Sequence, residues 1–166
     1  MKYFPLWYRL HSEERYLIWI SNENECLLVD AEGFIPSFRD LTMVGQFAET
    51  NGILLENETP VLHDLDRVVA WRVSRAVPVD CVEALTAWNL FRDVAASAPG
   101  KGIAFGKLSS EFSSIYDKLF WGNNLPAMTP KDERYVPQWS PEETRSLAEV
   151  LRTGFDLFVS CVRNRP

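Results

Sequence analysis

The hydrophobic pattern of this chain changes period near Pro36, and neither an all-β nor an all-α fold accommodates both halves. Before Pro36 the apolar residues come in short runs divided by polar turns. Tyr3 to Leu10 is rich in aromatics and reads as a strand, with Pro5 tolerated only at a sheet edge or a strand start. His11 to Glu14 reads as a turn, and Tyr16 to Ile20, almost wholly apolar, as a central strand. Ser21 to Glu25 is a second turn, and Cys26 to Val29 a third strand. Asp30-Ala31-Glu32-Gly33 then makes a tight connection in which Gly33 can take a positive φ. Together these segments predict an antiparallel meander.

After Pro36 the spacing becomes helical. Ser37 reads as the cap of a helix presenting Phe38, Leu41, Val44, Phe47 and Ala48, stopped by Asn51-Gly52. Ile53 to Leu55 reads as a short strand, Asp64 as the cap of a short helix through Trp71, and Val73 to Val79 as compatible with a further strand. Asp80 is placed to cap a helix over Cys81–Ser97, apolar around more than half its circumference and therefore central. A glycine-containing link over residues 100–107 leads to a helix from Ser109 or Ser110 to Gly122, with Phe112, Ile115, Tyr116, Leu119 and Phe120 on one face. The sharpest boundary is Ser140-Pro141-Glu142-Glu143: a cap, a proline at the first helical position and the glutamate of a capping box. The expected fold class is α+β, an N-terminal antiparallel sheet with C-terminal helices packed on it. At 166 residues it forms one domain over residues 1–166.

Charge is unevenly spread along this frame. The net charge is −6, so nucleic acid, which needs a basic footprint, is not expected as a direct ligand. Residues 1–83 carry fourteen acids against seven Lys and Arg, whereas residues 84–166 carry nine against ten. From Asp40 to Asp66 there are six carboxylates (Asp40, Glu49, Glu56, Glu58, Asp64, Asp66) and no Lys or Arg. Such a run either solvates a loop or meets a partner of opposite sign. Cys26, Cys81 and Cys161 are an odd, widely spaced set, which fits a reducing compartment. With no secretion signal and no long apolar stretch, a cytoplasmic location is expected.

Motifs for chemistry are weak. His63-Asp64-Leu65-Asp66 clusters possible ligands but lacks paired His or Cys spacing, and its acids serve better at a helix start. Gly102 and Gly106 are separated by three residues, and Leu108 follows Lys107, so the phosphate-loop spacing fails. Cys81 and Cys161 fall on apolar helical faces, where a thiol is an inert small hydrophobe. No cofactor, metal or catalytic set is expected. The segment Trp121 to Trp139, stiffened by Pro126, Pro130 and Pro137 and carrying Trp121, Tyr135 and Trp139, is either a functional loop or a strap over the helices.

Trp88-Asn89-Leu90-Phe91-Arg92-Asp93-Val94, Tyr116-Asp117-Lys118-Leu119-Phe120-Trp121-Gly122-Asn123-Asn124-Leu125-Pro126, Tyr135-Val136-Pro137 and Trp139-Ser140-Pro141-Glu142-Glu143 give residues 60–162 a texture that resembles the immunity proteins of bacterial polymorphic-toxin and contact-dependent growth inhibition systems. The resemblance implies a small cytosolic protein that binds one cognate toxin domain, often a basic nuclease, and blocks it by occlusion without chemistry. It assigns no residue roles. From charge and aromatic placement, Glu56, Glu58, Asp64 and Asp66 are expected to meet the toxin's Lys and Arg, with Trp121 and Tyr135 as anchors. Two rival expectations stand beside it: a small enzyme with a pocket under the 121–139 loop and His63 in its cleft, and an adaptor module with no toxin.

Overall fold

The computed structural model describes residues 1–165 and is α+β. Strand β1 (Lys2–Leu10) pairs antiparallel with β2 (Glu13–Ser21) from Lys2↔Ser21 to Leu10↔Glu13, and β2 pairs antiparallel with β3 (Cys26–Leu27). This is the meander the alternating segments predict. The hairpin closes through His11 and Ser12, both at positive φ (54° and 62°), the geometry of a tight type I′ turn. Neither is a glycine, and the turn is held from outside: the Asp66 carboxylate accepts both turn amides, at 2.7 Å from His11 and 2.8 Å from Ser12.

The sheet is not purely antiparallel. Strand β5 (Leu62–Asp64) lies parallel to β1 on its free side, giving the order β3-β2-β1-β5. A second small sheet pairs β4 (Ile35–Ser37) in parallel with β6 (Val162–Asn164), at the end of the chain. Ser37 is thus a buried strand residue, not a helix cap. Its hydroxyl contacts the Tyr8 hydroxyl at 2.7 Å and accepts from the Arg15 Nε at 2.9 Å. The first helix, α1 (Leu41–Thr50), begins instead at Asp40, whose side chain accepts the Met43 amide. Residues 53–55 make one bridge, Leu55 to Tyr3, rather than a strand, and Val73 to Val79 is not a strand either: residues 73–74 are helical and residues 75–79 extend no sheet.

The sheet is covered on both faces. On one face Ile18, Phe38 and Val44 form a small core under α1. On the other, Leu6, Tyr8 and Leu17 meet the main core. At its centre runs α3 (Cys81–Ser97), capped by Asp80 and burying Trp88 and Phe91 completely. Around it pack α2 (Leu65–Ser74, capped by Asp64), α4 (Pro99–Glu111), α5 (Ser113–Gly122) and α6 (Pro141–Cys161), whose capping box is formed as the Ser140–Glu143 spacing requires.

Helix α4 occupies residues expected to be a flexible link, and it also takes in Ser109 and Ser110, expected to start the next helix, which begins instead at Ser113. The glycines of α4 weaken intrinsic propensity, but Gly102 is needed where α4 meets α3: a Cβ there would lie 2.6 Å from the Ala95 carbonyl oxygen. Packing of Phe105, 1% exposed, outweighs the propensity cost. Gly154 has the same role for α6, since a Cβ would stand 2.1 Å from the Phe91 ring.

Candidate functional site

The site begins at Pro5. It lies in the middle of β1, not at a strand start, and the edge a proline requires is a local one, made by a gap in the pairing on that side. Tyr3 accepts the Glu56 amide at 2.8 Å, so by strand alternation Pro5 faces the same neighbouring segment. Pro5 has no N–H to offer there. Pairing with that segment stops after the Tyr3–Leu55 bridge and resumes only at Trp7–Leu62. Between these points residues 56–61 leave the sheet and form a wall.

Behind that wall is a cleft of about 800 Å³. Phe4, Leu6 and Trp19 supply the sheet side, with the Phe4 and Trp19 rings 5.6 Å apart. Asn89, Arg92 and Asp93 of α3 and Tyr116 of α5 form the opposite side. Glu23 and Glu25 of the β2–β3 turn, with Glu58 and His63, complete the lining. The lining therefore carries four carboxylates and one arginine. The ten ion pairs among the described residues use none of these four carboxylates. Arg92 instead lies over the Tyr116 ring at 5.5 Å, and the Tyr116 hydroxyl donates to the Asn89 side-chain oxygen at 2.9 Å.

Asp93 is the most perturbed of the four. One oxygen accepts the Trp19 indole N–H at 3.1 Å. Burial, and then the negative charge of Glu25, push its carboxyl up to about 6, against the opposing pull of the indole hydrogen bond and Arg92. His63, its Nδ1 3.1 Å from the Val61 carbonyl oxygen, is moved the other way: burial lowers its pKa by disfavouring the charged ring. No three His, Cys, Asp or Glu side chains converge closely enough to hold a metal among the described residues, so the acids ring the cleft instead of sharing a point.

The residues singled out from sequence separate in space. Glu58 lines the cleft. Glu56 lies at the sheet margin, 3.8 Å from Lys2. Asp64 is committed internally: it caps α2, and its carboxylate lies 2.9 Å from Arg9 and 3.8 Å from Arg67. Asp66 grips the hairpin turn. The bases missing from residues 40–66 are therefore provided by residues distant in sequence or just beyond the run.

Trp121 and Tyr135 are half exposed and lie outside the cleft lining. Trp121 belongs to α5, and the loop that follows, which carries Tyr135, is tied down as a strap. Asn124 holds the backbone of Tyr135 through two hydrogen bonds of 2.9 and 2.7 Å, and the Lys118 ammonium lies 5.2 Å over Trp139 while bonding Glu143 at 2.8 Å. The large cleft is thus not under residues 121–139. Glu23, Glu25, Trp19 and Asp93 were missed because they sit on separate elements, and only the fold assembles them.

No family model and no curated protein matches the chain. Among solved structures, the crystal structure of the SatS C-terminal domain in complex with bromine is similar, with a TM-score of 0.53 and 12% identity over 98% of this chain and 94% of that one. At that identity the likeness is one of fold alone, and function has to be argued from the site.

Proposed function

We propose that this is a binding protein that neutralises a basic partner by taking part of the partner's cationic surface into the acidic cleft. The partner class that fits is the toxin domain implied by the resemblance to immunity proteins. One observation carries the reading: four carboxylates line an aromatic-floored cleft, and none is in an ion pair with a protein cation among the described residues. Unpaired like charges repel, and a docked cationic surface relieves that repulsion while steering encounter. Aromatic rings beside them give such a surface something to pack on. Occlusion is enough for inhibition, and no chemistry is required of the binding protein.

The test is co-purification with the product of the adjacent upstream gene, using wild type and the triple variant E23K/E25K/E58K. The expected result is a complex that survives low salt, weakens at about 0.5 M salt where the Debye length has shrunk to a few ångströms, and is lost in the triple variant. A complex indifferent to both, or no complex, overturns the reading.

A second reading, a small acid–base enzyme, is favoured by Asp93 and His63 lining one cleft, the first with its pKa raised to about 6 and the second with its pKa lowered by burial. It requires turnover of some small substrate that both D93N and H63Q abolish, whereas a binding protein has none to lose.

A further inference from the structure

The cleft has an inner end that differs from its rim. Glu23, Glu25 and Glu58 sit on connecting segments that open to solvent. Asp93 sits on the rigid central helix and lines the cleft beside Trp19, with one oxygen oriented by the indole N–H. Its other oxygen has no hydrogen-bond donor among the described residues. The rings of Phe4, Trp19 and Tyr116 all belong to regular elements and line the same space. A fixed carboxylate oxygen beside several fixed aromatic faces matches a cation carried on an apolar stem: the charge meets the carboxylate, and the methylenes and the charge edge meet the rings.

We infer that the inner end of the cleft is a receptor for a single cationic side chain, a lysine or arginine of the partner, inserted against Asp93 between Trp19 and Tyr116. This rests on the cleft being the docking site proposed above and names what enters it. The surroundings fit that occupant. Closest in effect on Asp93 are Glu25 from the β2–β3 turn, Trp19 from β2, Cys26 from β3 and Arg92 from its own helix, and Glu23, Glu58, His63 and Tyr116 share the cleft lining with it. Arg92 is the one fixed positive charge among them, and its guanidinium is directed onto the Tyr116 ring. An inserted cation thus faces a net negative enclosure. Because burial and Glu25 hold the Asp93 proton on up to about 6, insertion below that pH must displace a proton. Affinity should therefore fall about tenfold between pH 7 and pH 5.

The experiment uses the intact protein and short peptide probes. The indole N–H resonance of Trp19, assigned by its loss in W19F, is followed during titration with acetyl-Gly-Arg-Gly-amide and acetyl-Gly-Lys-Gly-amide. The uncharged controls carry citrulline and acetyl-lysine at the central position. The expected result is movement of the Trp19 signal with at least one cationic peptide, at least tenfold weaker binding of its neutral counterpart, and loss of the response in D93N. E25Q, which leaves Asp93 in place, should weaken the response and keep its charge selectivity. Neutral peptides acting as well as cationic ones, or no movement with any peptide, overturn the inference. Failure here is separable from failure of the broader reading. If D93N still captures a basic partner like wild type while E23K/E25K/E58K does not, rim docking stands and the inner receptor falls.

Discussion

Asp93 shows how a single residue can set stability against binding. Its carboxyl titrates near 6 in the folded protein against an ordinary value of 3.8, so the native state holds the proton more tightly than the unfolded chain does. The stabilising contribution is therefore complete below about 3.8, declines as pH rises, and is gone above about 6; at neutral pH the charged form is a cost. D93N should remove that slope. Discounted for the part of the group that faces solvent, the gain at pH 7.5 is about 1 kcal/mol, or roughly 2–4 °C in Tm for a domain of this size. Thermal melts of both proteins from pH 4 to pH 8 check this, and parallel pH profiles would contradict it. Cys81 and Cys161 were legible as buried thiols from helical spacing alone. Asp93 was not singled out from sequence, because its perturbation comes from Trp19 and Glu25 on other elements.

Elements were legible where their boundaries are chemically local. Asp64, Asp80 and Ser140 each cap the helix their sequence announces, because a cap acts within three residues of itself. Elements defined by distant partners were not. Strands β5 and β6 are three residues each and exist through parallel pairing with β1 and β4, for which a short segment carries no periodic signal. Helix α4 depends on close approach to α3, a tertiary fact hidden behind glycines that read as a linker. The two kinds of helical glycine make a direct test. G154A drives a methyl into the Phe91 ring, which is surrounded by Phe105, Phe155 and Phe158. It should cost about 2–3 kcal/mol by overpacking. G45A, in α1, meets nothing within 4 Å and should gain roughly 0.5–1 kcal/mol from helix propensity. Urea denaturation of the two variants separates packing from propensity. A similar loss in both would show that α6 does not approach α3 as described.

Across the whole molecule, charge is the property that sequence order most misrepresents. The acid-rich run from Asp40 to Asp66 contains no Lys or Arg, yet Lys2, Arg9, Arg39 and Arg67 meet Glu56, Asp64 and Asp40 within it. Four of the acids outside those ion pairs, Glu23, Glu25, Glu58 and Asp93, are brought to one cleft from three separate stretches of chain. Glu49 is a useful contrast. It is exposed on α1, across the sheet from the main core, in none of the ion pairs among the described residues, and outside the cleft lining. If attraction came from the diffuse field of a protein with net charge −6, reversing any exposed acid would slow association alike. If it is focused by the cleft, position decides. Association rates with the co-purifying basic partner, measured by stopped flow between about 50 and 500 mM salt, where the Debye length falls from roughly 14 to 4 Å, distinguish the two. The wild-type rate should fall steeply with salt, E49K should follow the same slope with at most a small offset, and E23K/E25K/E58K should start slower and be nearly flat. Equal slowing per reversed charge in E49K and in the cleft variant would show that net charge alone recruits the partner and that the cleft adds no direction.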